Sequence, residues 1–196
     1  MRRRTTCWLT RHCSGRPPVA AEFGPHEIRA VNVWPIRQFV FSCGPLLLPA
    51  LAWNVALTEF LPPAIASPES WDDIPPALAS AESSLRFLVF ALPFFMPLSV
   101  SSTLQRKGLV IFIVGTLVYF ASWLALIAAP NSQWASSPIG FLAPAYTPMI
   151  WLAGLAVLGR RVFFVTFYRW WMYLTLSAIF IAAHVSHAVV VYVHNY

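Results

Sequence analysis

Residues 108–129, GLVIFIVGTLVYFASWLALIAA, run for 22 residues without a charge. At about 1.5 Å of rise per residue, a helix of that length crosses a hydrocarbon layer ~30 Å thick. In lipid every backbone N–H and C=O has to be bonded inside the protein, which leaves helical bundles and closed barrels as the available folds. A run this long and this apolar belongs to a helix. The rest of the chain agrees, because it is 58% hydrophobic and only 10% charged, too few charges to wet the surface of a soluble domain.

The sequence therefore predicts an all-α integral membrane protein with about five transmembrane helices, several of them proline-kinked. The spans fall at about 36–60, 85–104, 108–129, 141–158 and 168–193. Pro45 and Pro49 interrupt the first, Pro93 and Pro97 the second, and Pro144 and Pro148 the start of the fourth. Such breaks are tolerated in a membrane where neighbouring groups satisfy the freed carbonyls. Residues 36–196 form one five-span domain, with an external acidic loop at about 61–84 that carries Glu69, Asp72, Asp73 and Glu82. Residues 1–35 read as a disordered, basic cytoplasmic tail. They hold no apolar core of the kind a secretory signal places directly after its basic residues.

Charge placement sets the orientation. Of the 13 Lys and Arg, all but Arg86 fall on one side of this topology, in the tail up to Arg37, in the turn at Arg106 and Lys107, and at Arg160, Arg161 and Arg169. Glu59, Glu69, Asp72, Asp73 and Glu82 fall on the other side. Basic residues near span ends stay cytoplasmic, so the expectation is a multi-pass protein of a cell inner or cytoplasmic membrane, with the N-terminus inside and the C-terminus external or periplasmic.

A net charge of +6 raises the question of nucleic acid, but no RNP, zinc-finger or helix-turn-helix pattern is present. Because the charges sit beside apolar spans, the expected partners are membrane lipids, including anionic headgroups, together with other membrane subunits or a second copy. Arg160, Arg161, Arg169, Trp170 and Trp171 form the candidate headgroup site, with Arg for phosphate and Trp for the boundary. Cys7, Cys13 and Cys43 are too few for a disulfide framework. Gly115, Gly154 and Gly159 suit close helix contact although no GxxxG occurs.

Ionisable groups at membrane depth are expensive and point to function. Glu59, His184 and His187 are the candidates, and HVSH puts two imidazoles one helical turn apart. Two such rings can share a metal, with Glu59 as an oxygen ligand, or tie helices together, or move protons. Cofactor identity stays open, with metal or haem as the alternatives; a haem held between histidines of one chain is disfavoured because the first four spans contain no histidine. Glu59 is otherwise expected to face water or pair with Arg86. Asn54, Thr58, Tyr119, Ser122, Tyr146 and Thr147 are expected at a similar depth. Ser99, Ser101 and Ser102 lie near the inner face, some ~25 Å of depth from His187, which excludes a serine–histidine pair.

With no complete catalytic motif, the functional expectation is a small accessory, assembly or structural subunit of a membrane complex, without catalysis of its own. The alternative is an outer-leaflet polar site that binds a metal, cofactor or small ligand, or relays protons.

Overall fold

A computed structural model describes residues 40–62, 74–163 and 165–195. The basic tail, Trp71 and the acidic residues Glu69, Asp72 and Asp73 lie outside the described residues. Among the described residues the regular structure is helical: α1 (Leu48–Leu57), α2 (Pro76–Ala91), α3 (Thr103–Ala128), α4 (Gln133–Ser136), α5 (Pro138–Phe141), α6 (Ala143–Tyr146), α7 (Pro148–Leu158) and α8 (Trp170–Asn195). Tight 3-10 turns at Gly44–Leu47 and Thr58–Phe60 flank α1, and another at Leu92–Phe95 extends α2. Three helices have the length and apolarity to cross a membrane: Pro76–Phe95, Thr103–Ala128 and Trp170–Asn195. The apolar run Ala143–Leu158 is shorter.

Prolines decide where α2 begins and ends. Pro75 and Pro76 start α2, where a missing N–H costs nothing and φ is already helical. Pro97 forces the residue before it out of the helical region, and Met96 is extended at φ −101°, ψ 114°. The helix thus begins nine residues before the expected start at Leu85, and Met96–Ser102 is not helical although the sequence reading took the span to Leu104. The acidic connection shortens accordingly, and Glu82 belongs to a helix instead of a loop.

The backbone released by these prolines is not left bare. Cys43 N–H donates to the Met96 carbonyl (2.8 Å) and Leu98 N–H to the Phe41 carbonyl (2.9 Å), with Ser42 opposite Pro97 in an isolated antiparallel bridge. The two non-helical stretches thereby satisfy each other's backbone groups. At the start of α3 a reciprocal capping box forms, in which Ser102 accepts from the Gln105 N–H and the Gln105 side chain accepts from the Ser102 N–H.

Packing runs in sequence α3–α7–α8–α2, with neighbours antiparallel. Glycine allows the closest of these contacts. A Cβ on Gly115 would lie 2.5 Å from the Trp151 nitrogen, and one on Gly154 would lie 2.7 Å from Phe112 Cα and 2.8 Å from the Gly108 carbonyl oxygen. Backbone meets backbone at these positions, which gives a membrane bundle its dispersion contacts where no hydrophobic effect operates. Leu152, Leu155, Ala156 and Leu158 of α7 are fully buried at the centre, with Val89 and Tyr173 against them. Exposed Val110, Ile113, Leu117 and Leu124 give α3 an apolar outer face, the natural side for lipid.

α1 leans on α3 through Trp53, stacked on Phe120 at 4.1 Å, and through a hydrogen bond donated by the Tyr119 hydroxyl to Asn54 Oδ1. Interhelical hydrogen bonds in membranes are worth about 0.6 kcal/mol on average. Tyr119→Phe is expected to lower the unfolding free energy in mild detergent by about that amount; a loss of ~3 kcal/mol would show that this bond holds α1 in place.

Candidate functional site

Glu82, on α2, is 2% exposed, which is rare for a carboxylate. Its position follows from the helix register. With α2 begun at Pro76, Glu82 and Arg86 stand one turn apart and Val89 follows on the buried side, facing α8. On α8, Tyr173, Ser177, Phe180, Ile181 and Val191 are buried, and His184 and His187 belong to the same face.

The two faces meet at the Glu82 carboxylate. Oε1 is 2.9 Å from Nδ1 of His184, and Oε2 is bonded to Nδ1 of His187. Arg86 donates to Oε1 through a terminal guanidinium nitrogen. The Glu82 side chain is 3% exposed, whereas His184, His187 and Arg86 are 31%, 17% and 53% exposed. The acceptor is enclosed and its donors reach the surface. By helical rise, Glu82 sits ~5 Å from the midpoint of Pro76–Phe95 and the histidines ~2 and ~7 Å from the midpoint of α8.

With Glu82 ionised the carboxylate can only accept, in which case each Nδ1 donates and a neutral ring carries its lone pair on Nε2. This is the arrangement in which a carboxylate orients an imidazole and stabilises the imidazolium that forms when Nε2 takes a proton. Toward the opposite end the polar row meets aromatic rings. His184 stacks on Phe180 (5.6 Å, 9°), Phe180 meets Phe90 edge-on (6.4 Å), and Phe90 meets Trp151 (6.2 Å). Below them Leu152, Leu155 and Tyr173 are buried, the tyrosine hydroxyl donating to the Val89 carbonyl at 3.1 Å.

The remaining polar groups expected at this depth resolve into local contacts. Asn54 pairs with Tyr119, Ser122 Oγ is 3.4 Å from Thr147 Oγ1, and the Tyr146 hydroxyl donates to the Ile139 carbonyl at 3.1 Å. Glu59 stands on the exposed turn after α1, and no hydrogen bond or ion pair joins it to either histidine among the described residues. Arg86 takes Glu82 as its partner, not Glu59. The structure thus brings His184 and His187 together, but around Glu82 of α2 and not around Glu59. Among the described residues no group of three His, Cys, Asp or Glu is arranged to hold a metal ion. Arg160, Arg161, Arg169, Trp170 and Trp171 are all exposed.

No protein-family model matches the chain, and neither a curated protein nor a solved structure is significantly similar to it. The fold and the cluster together define a multi-pass helical membrane protein with a buried Glu82–His184–His187 centre.

Proposed function

We propose that the protein works as a reversible proton-binding centre in the outer half of a five-span bundle, with Glu82, Arg86, His184 and His187 as its working groups. The observation that carries this reading is that both oxygens of one buried carboxylate are occupied by imidazoles of a neighbouring helix. In this reading the helical runs Gly44–Phe60 and Ala143–Leu158 complete the five spans, and the basic ends at Arg106, Lys107, Arg160, Arg161 and Arg169 face the cytoplasm of a cell inner membrane.

The chemistry follows from counting charges. With neutral rings the centre holds one carboxylate against one guanidinium. Each proton taken up at an Nε2 adds a positive charge beside Arg86, so the three donors that already share the two oxygens come to repel one another more strongly. Arg86 is the most exposed member and shares Oε1 with His184, so it is the group displaced. Protonation is thereby converted into a change in how α2 meets α8. The aromatic layer of Phe90, Phe180 and Trp151 supports uptake and release on one side over passage through the bundle. No catalytic step is required. An architectural role would use the same cluster to tie α2 to α8, and proton uptake is what separates the two readings.

The test is proton uptake by the full chain in liposomes after an acid step across about pH 8 to 5, read with a pH dye outside the vesicles. The His184→Asn/His187→Asn double variant is expected to take up fewer protons than the wild type. Equal uptake by the two would overturn the reading.

A further inference from the structure

At the end of the bundle away from Glu82, five exposed cations from three separate segments meet. Arg106 and Lys107 open α3, Arg160 and Arg161 follow α7, and Arg169 precedes α8. Their adjacency is built by buried contacts. Gln105 is 8% exposed and its Nε2 donates to the Leu158 carbonyl (3.4 Å), joining the first turn of α3 to the last of α7. The Phe163 N–H donates to the Phe95 carbonyl (3.0 Å), and the Tyr168 hydroxyl reaches Met96 Sδ (3.8 Å), which brings the α7–α8 connection onto the same end. Arg106 is partly oriented by its Nε bond to the Val100 carbonyl (3.4 Å), leaving its terminal nitrogens to other partners.

Nothing acidic among the described residues balances these charges, since Glu59 and Glu82 both lie beyond the bundle's midpoint. Exposed apolar surface borders the cations, with Leu104 on α3 and Phe167 and Trp171 around the start of α8. Cations beside rings and aliphatic surface suit a ligand with an anionic head and an apolar tail, not a free anion.

We propose that Arg106, Lys107, Arg160 and Arg161 bind the phosphodiester of an anionic phospholipid, with Leu104, Phe167 and Trp171 against its glycerol and upper acyl region. The guanidiniums take the phosphate oxygens in paired hydrogen bonds and Lys107 adds a point charge. Site occupancy rests on α3 and α7 being joined at Gln105 and Leu158, and does not depend on the proton chemistry at Glu82.

The experiment reconstitutes the full chain in bilayers of equal phosphatidylcholine and phosphatidylglycerol, then counts the lipids retained after mild detergent extraction by native mass spectrometry. The wild type is expected to retain phosphatidylglycerol preferentially, and the preference is expected to fall about fivefold for each cation removed. The variants are Arg106→Gln/Lys107→Gln and Arg160→Gln/Arg161→Gln, made separately so that a folding failure in one leaves the other as the test. No preference in the wild type, or unchanged preference in both variants, would overturn the proposal. So would full displacement of the lipid by inorganic phosphate, which marks a free-anion site, or by an acidic protein that co-purifies.

Discussion

Replacing Gly154 with valine is expected to destroy the α3–α7 contact and to leave little folded protein in mild detergent. The Cβ alone would stand 2.7 Å from Phe112 Cα and 2.8 Å from the Gly108 carbonyl oxygen, so the obstruction is backbone that no rotamer change can move. Overpacking costs ~1–3 kcal/mol where side chains can shift, and a backbone clash belongs at or above the top of that range. Gly154→Ala should show a graded part of the effect. Leu117→Val, on a side chain 61% exposed on α3, is the control and should change stability by less than ~0.5 kcal/mol. Thermal or detergent unfolding of the purified variants reads the difference, and a Gly154→Val protein as stable as wild type would contradict the packing described.

Glu82→Ala is the second large effect. It removes the one acceptor shared by Arg86, His184 and His187 and leaves a guanidinium and two ring N–H groups facing one another. Breaking a buried ion pair from one side costs ~3–5 kcal/mol, and Arg86 is half-exposed and able to reach outward, so about 2–3 kcal/mol is expected here. Glu82→Gln, which keeps the volume and an acceptor oxygen, should lose less. The measurement is the unfolding of both variants beside wild type. Equal stability of Glu82→Ala and wild type would mean that the carboxylate holds nothing together.

Hydropathy made the membrane class and the long helices α3 and α8 legible, because a run such as 108–129 has no other use. His184 and His187 were legible from their spacing on α8. Glu82 was missed for a specific reason. Its neighbours PPALASAESS are small and polar, so hydropathy placed the span's start at Leu85, whereas Pro75 and Pro76 are a helix-start signal nine residues earlier. That signal, with Glu82 and Arg86 four residues apart, marked one helix face carrying an ion pair. The end of the same helix was missed as well, since the span was carried to Leu104 although Pro97 imposes an extended preference on Met96. Which helices touch was not readable, because Gly115 and Gly154 carry no GxxxG spacing and their complementarity exists only once α3 and α7 are side by side.

The most direct test of the central claim is nitrogen-15 NMR of the histidine rings of the full chain in lipid bilayers, with His184 and His187 assigned by single substitution. The account predicts that at alkaline pH both rings carry hydrogen on Nδ1 and a bare Nε2, and that lowering the pH converts them to imidazolium while Glu82 stays a carboxylate. Rings that hold hydrogen on Nε2, or that keep one neutral spectrum across about pH 8 to 5, would contradict it.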